Sequence, residues 1–189
     1  TRAKLWPFIA GDFNEEKIDN DVATIRKIYL AEGFLDVEVS RRLDPSADKS
    51  EMTVTFIINE GGRYRVNAVS FAGNTVFADA ELQERLQLRQ SRFFTADAHR
   101  TDVEAIESSY GELGYVDAAV KADKRFVSPD APLPDWAAGL DGGRPSLVNL
   151  VYEIEENDRY TVGDVVIKGN TITQDRVIRR EVRLFPEEG

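Results

Sequence analysis

Tyr29-Leu30-Ala31-Glu32-Gly33-Phe34-Leu35-Asp36 returns 81 residues later as Tyr110-Gly111-Glu112-Leu113-Gly114-Tyr115-Val116-Asp117. What the two stretches share is spacing: a tyrosine, a glycine four residues on, an aromatic beside it, and an aspartate two further. A glycine fits the end of a helix, where a left-handed residue is needed and glycine adopts it cheaply. Each stretch therefore reads as the last turn of a helix running into a strand. Upstream, Val103, Ile106, Tyr110 and Leu113 put one apolar stripe on a helix over about Thr95 to Leu113, and Asp21-Val22-Ala23-Thr24-Ile25 repeats its start. Thr95 is the expected N-cap, and Asn14 holds the same place in the first copy. Downstream, strands are expected at about 34–41 and 115–121, then at about 52–59 and 147–154, where Val148, Leu150, Tyr152 and Ile154 alternate with Asn149, Val151 and Glu153.

A second match has an offset of 96. Glu60, Arg63, Tyr64, Val66, Val69, Phe71, Gly73, Asn74 and Thr75 correspond to Glu156, Arg159, Tyr160, Val162, Val165, Ile167, Gly169, Asn170 and Thr171. The excess of 96 over 81 places a 15-residue insertion between the matched blocks. It is visible as the Pro/Gly-rich stretch from Ser128 to Pro145, which replaces Asp44-Pro45-Ser46-Ala47-Asp48 of the first copy.

One copy is complete. Tyr64 to Phe71 reads as a first strand with an irregularity near Asn67-Ala68, and Leu82, Leu86 and Leu88 mark a short first helix. The order is β-α-α-β-β. Two helices must bury their stripes on one face of a three-stranded sheet, an α+β sandwich of two layers. The expected division is a partial copy over 1–62 (end of a first helix, second helix, strands two and three), a complete copy over 63–157 with its insertion at about 128–146, and the start of another over 158–189 (strand one, helix one). The chain lacks an initiator Met and ends Pro186-Glu187-Glu188-Gly189, so it reads as a piece of something longer.

Composition narrows the function. In 189 residues, 24 Lys+Arg stand against 34 Asp+Glu, a formal charge of -10 that repels phosphate backbones and argues against nucleic acid as a partner. Arg179-Arg180 is too small a basic patch to reverse this. With no cysteine, disulfides, thiolate catalysis and Cys-based metal sites are excluded. No apolar run spans a bilayer, and Thr1 to Pro7 has no signal-peptide core. His99 is the only histidine and has no ligand set around it, and Ser108-Ser109 has no base near in sequence. Asp102, Glu104, Glu107 and Glu155-Glu156 read as solvated charge. Gly61-Gly62 and Gly142-Gly143 lack the lysine and helix of a phosphate loop. No enzyme, metal or cofactor site is expected. Trp136, in the Pro-rich loop, is expected to anchor that loop on its own copy.

Phe71-Ala72-Gly73-Asn74-Thr75, echoed by Ile167-Lys168-Gly169-Asn170-Thr171, combined with the Tyr-x-x-x-Gly-aromatic helix end, resembles the POTRA (polypeptide-transport-associated) family. The resemblance covers nearly the whole chain outside the insertion. It implies tandem POTRA units of the kind found in the periplasmic arm of BamA-like outer-membrane β-barrel assembly proteins. Such an arm would lie at the periplasmic face of a Gram-negative outer membrane, ahead of a C-terminal barrel. Its partners would be unfolded outer-membrane proteins and accessory assembly lipoproteins. TamA-like and two-partner secretion arms, and cell-division POTRA adaptors, are the alternatives.

A non-enzymatic receiver binds through backbone, because an exposed edge strand can accept an extended peptide of almost any sequence. The resemblance implies that this edge is the second strand: Tyr115, Val116, Asp117, Ala118, Ala119, Val120 and Lys121 in the complete copy, and Phe34, Leu35, Val37 and Val39 in the first. Beside this stands a second reading, in which Tyr115, Val120 and Phe34 are core and Asp36, Asp117 and Lys121 are charges that block aggregation.

Overall fold

The computed structural model describes residues 14–48, 50–138, 140 and 143–182. In chain order it contains α1 (Glu15–Ala31), β1 (Glu38–Pro45), β2 (Met52–Asn59), β3 (Tyr64–Ala72), α2 (Asp79–Arg85), α3 (Ala96–Glu112), β4 (Ala119–Phe126), β5 (Ser146–Glu155) and α4 (Asp175–Glu181). The complete copy is the expected β-α-α-β-β, an α+β sandwich, and the expected end of a first helix before Asn14 lies outside the described residues.

Its sheet has the order β3-β5-β4, with β3 parallel and β4 antiparallel to β5. A parallel pair needs a long crossover, which α2 and α3 supply. The register slips between Val66 and Ala68, at the expected irregularity, and Asn67 Nδ2 donates to Asn149 Oδ1 at 2.8 Å across it. On the helix-covered face Val66, Val148, Leu150 and Tyr152 pack with Leu82, Leu86, Leu88, Phe94, Ile106 and Tyr110, all essentially buried. The other face carries charge, including Lys121 Nζ 3.6 Å from Glu153.

Several expectations change. Leu113, expected on the buried stripe, is 42% exposed, because α3 ends one residue earlier and Leu113 is its C-cap. Asp102, read as solvated, is fully buried, and accepts from the Gln87 and Leu88 N–H groups at 2.6 and 3.0 Å. It thereby pins the α2–α3 connection to the middle of α3. Burial raises its pKa against the opposing pull of those bonds. His99 lies between Phe94 and Tyr152, tilted against the first ring and stacked on the second, with burial and then Lys124 depressing its pKa. The strand expected at the start of the last copy is absent among the described residues, since ladder bonds need a partner strand and 158–174 finds none. Among the described residues of the insertion, a 3-10 turn, Asp135–Ala137, holds Trp136, whose indole nitrogen is buried.

Candidate functional site

The repeated Tyr-x-x-x-Gly-aromatic pattern has a direct physical meaning. At the end of α1, Phe34 N–H reaches back to Tyr29 O at 3.1 Å and Gly33 N–H to Leu30 O at 3.2 Å. At the end of α3, Tyr115 N–H bonds Tyr110 O and Gly114 N–H bonds Gly111 O, both at 3.0 Å. These paired bonds are a Schellman cap, and the aromatics clasp it, with Tyr29–Phe34 and Tyr110–Tyr115 rings edge-on at 5.5 and 6.1 Å. The glycines sit at φ +94° and +91°.

The cap corrects the strand boundaries. Residues 34–37 and 115–118 do not extend as strand but close a tight turn, with Val37 N–H on Phe34 O and Ala118 N–H on Tyr115 O. β1 and β4 therefore begin four residues later than expected, at Glu38 and Ala119. Tyr115 and Ala118 are partly buried against the core, and Val116 is 65% exposed. Phe34 clasps Tyr29, Leu35 packs on the core of the complete copy, and Val37 is buried. Of the expected edge residues only Ala119, Val120, Lys121 and Val39 lie in strands.

The caps also form the joints between copies. Tyr64 N–H donates to Gly33 O at 2.8 Å, Arg63 Nε to Glu32 O at 2.8 Å, Tyr29 OH to Glu60 Oε1 at 2.8 Å, and Tyr64 OH to Asp36. The second joint repeats the first three. Tyr160 N–H donates to Gly114 O at 2.8 Å, Arg159 Nε to Leu113 O at 2.9 Å and Tyr110 OH to Glu156 Oε1 at 2.8 Å, while Asp117, beside the Tyr160 phenol, raises its pKa. Glu156, read as surface charge, also accepts from the N–H groups of Thr75 and Val76 and from the Thr75 hydroxyl. Burial disfavours its charge, yet these bonds prevail and hold its pKa below the usual carboxylate value. Tyr64 is pushed up to about 12 by burial and by Asp36.

Edge geometry follows from parity. Val127 N–H bonds Leu147 O at 3.0 Å, so odd residues of β4 direct their backbone at β5 and even ones direct theirs outward. The outward set is Val120, Ala122, Lys124 and Phe126. Ala122, Lys124 and Phe126 lie beyond the expected stretch. The signal that could have found them is the even-numbered continuation Val120-Ala122-Lys124-Phe126, hidden by polar Asp123 and Arg125. The Val120 N–H is capped by Glu107 Oε1 from α3 at 3.2 Å, so Glu107 is not merely solvated.

In the first copy Ser46 N–H bonds Glu51 O, which turns Val39, Arg41, Leu43 and Pro45 outward, the same repeat positions. There the space beside the edge is bolted. Arg41 reaches α1 with 2.8 Å to Glu15 and 2.6 Å to Asp19, and Pro45 has no N–H to offer. At the Arg41 position β4 carries Ala122. The opposite edge of the complete sheet is partly occupied, since residues 91–94 bond β3 through Val66 N–H on Arg92 O and Phe94 N–H on Tyr64 O, both near 2.9 Å or less. Among the described residues, the outer edge of β4 beyond Val120 has no such cover.

Comparison with known proteins places this geometry. The family described as "POTRA: Surface antigen variable number repeat" matches residues 9–61 and 64–157. The outer membrane protein assembly factor BamA of Neisseria meningitidis is 26% identical over 187 residues, 97% of this chain and 22% of that protein. A putative outer membrane protein assembly factor of Treponema pallidum is 26% identical over 182 residues, 94% of this chain and 20% of that protein. This chain thus spans about a fifth of the length of these relatives. The crystal structure of POTRA3-5 of Haemophilus influenzae BamA shares the fold with a TM-score of 0.55 at 24% identity, covering 96% of this chain and 65% of that one. With both matched stretches falling on the two copies joined at Gly33 and Tyr64, the chain belongs to the POTRA family.

Proposed function

We propose that this chain is a non-enzymatic stretch of a BamA-like periplasmic arm, and that it receives unfolded outer-membrane proteins by strand addition at β4. On this reading 1–62, 63–157 and 158–189 are a partial, a complete and a beginning POTRA unit. The observation that carries it is the contrast between the two equivalent edges. The β1 groove is bridged by Arg41 and ends at a proline, whereas β4 offers the outward backbone of Ala122, Lys124 and Phe126. Main-chain bonds of this kind accept many sequences, as a receiver of diverse clients requires. The resemblance to assembly factors supports the class of client. Docking of accessory lipoproteins and attachment to an outer-membrane barrel belong to the same proposal.

Parity supplies the test. Ala122→Pro removes an outward N–H and leaves the β5 ladder whole, while Asp123→Pro removes a ladder bond. Titration with peptides copied from outer-membrane β-strands should shift the amides of Ala122, Lys124 and Phe126. Ala122→Pro should weaken that binding at least about tenfold while costing at most about 1 kcal/mol of stability, because proline is tolerated on an edge. Asp123→Pro should destabilise the fold by about 3 kcal/mol. Wild-type peptide affinity in Ala122→Pro would remove β4 as the receiving edge, and shifts confined to β1 would transfer the role there.

A further inference from the structure

In a chain of charge -10, two arginines lie over one exposed aromatic ring and two more line the cleft beside it. The Arg65 and Arg63 guanidinium carbons lie 3.7 and 4.5 Å from the centre of the Phe93 ring, which is 38% exposed. Arg89 and Arg92 line the adjoining open cleft of about 550 Å³, together with Gln87, Ala98 and the edges of the buried Leu86 and Leu88. Arg63 is matched by Glu32 at 3.2 Å. Arg65 and Arg89 instead spend donors on carbonyls, of Ser91 and of Glu84 and Leu86, and among the described residues neither they nor Arg92 form an ion pair. Three positive charges thus stand outside any ion pair, beside an exposed ring and a cleft of mixed polar and apolar lining.

The repeat isolates this cluster from the scaffold. Joint residues recur at both offsets, Arg63 included, as Arg159. The other members do not: Arg65 corresponds to Thr161, and Arg89, Arg92 and Phe93 correspond to Phe8, Gly11 and Asp12. A feature the fold itself required would be expected in each copy.

We propose that the Phe93 cleft is a second docking site, distinct from the β4 edge, which binds an acidic peptide segment of a partner protein carrying an apolar side chain. The charge pattern selects carboxylates, and bidentate arginine contacts suit them. The exposed Phe93 ring beside the cleft gives an aromatic or aliphatic side chain a surface to pack on, which favours a peptide over a flat anionic surface.

The test uses fluorescence anisotropy of a labelled EDEFEED peptide with this chain, with KRKFKKR as the inverse. Saturable binding of EDEFEED alone is expected, weakening with salt as exposed charge contacts do. Arg92→Glu and Phe93→Ala should each reduce affinity about tenfold. Arg92→Gln, which loses charge without reversing it, keeps the test readable if the glutamate variant fails to fold. Ala122→Pro should leave EDEFEED binding untouched, which separates this site from the strand-addition reading. No saturation at millimolar peptide, or unchanged affinity in the Arg92 and Phe93 variants, overturns the proposal. So does binding to phosphatidylglycerol vesicles, lost in the same variants, without peptide binding.

Discussion

Tyr110→Ala is expected to lower the unfolding free energy by about 3–5 kcal/mol, the range for deleting a large buried aromatic side chain. Tyr110 is fully buried on α3, edge-on to Phe77 at 5.0 Å and to Tyr115 at 6.1 Å. Its backbone carbonyl anchors the helix cap and its hydroxyl reaches Glu156. The substitution thus opens a cavity, loosens the cap and removes one of the bonds holding Glu156. Tyr110→Phe isolates the last effect and should cost about 1 kcal/mol, since Glu156 keeps its bonds to Thr75 and Val76. Tyr29→Ala, at the same repeat position, should cost less, because that ring is only half-buried in the described structure. Urea unfolding followed by circular dichroism measures all three. A loss under about 1 kcal/mol for Tyr110→Ala would contradict the assignment of Tyr110 to the centre of the core.

Gly33→Ala is expected to open the first joint. Its φ of +94° alone costs an alanine about 1–2 kcal/mol. A methyl group there would also overlap the Phe94 carbonyl oxygen. That atom is backbone, so relief requires the two copies to part, and the Tyr64 N–H to Gly33 O bond stretches with them. Gly114→Ala meets the Tyr160 carbonyl in the same way. Amide exchange at Tyr64 should speed up at least about tenfold in Gly33→Ala, and at Tyr160 in Gly114→Ala, as local opening becomes easier. Gly143→Ala is the control: it has a similar φ of +92° with nothing within 4 Å, so it carries strain without a joint. Unchanged exchange at both tyrosines would mean that the glycines serve the caps alone.

The sequence announced its periodicity because the joints require particular chemistry at particular places. A left-handed glycine, a phenol and a carboxylate cannot drift without losing a bond. Strand starts were harder to read. Phe34-Leu35 and Tyr115-Val116 have high β-propensity, yet the cap turns them away from the sheet. The far half of β4 was hidden for the opposite reason: an edge strand can be as polar as Asp123-Lys124-Arg125 and still pair. Asp102 had no local signal at all. Its burial depends on where the α2–α3 connection lands, and its repeat partner Asp21 is exposed. The contrast between Arg41 and Ala122 was present as two letters, but only the register of β1 against β4 makes them the same position.

The joint has one more property, which concerns chain length. Its two halves are a helix end and a strand start, and Glu60 lies 27 positions after Gly33 whereas Glu156 lies 42 positions after Gly114. The same three bonds close across both spans. The hairpin between the halves is therefore a region where residues can be gained or lost without shifting the joint. Additions inside 29–36 or 60–64 would break it at once. Length variation is confined to the hairpin tip, beside Asp36 and Tyr64, where the second copy has used it: Ser128, Pro129 and Arg144 already line a small cavity against those two residues.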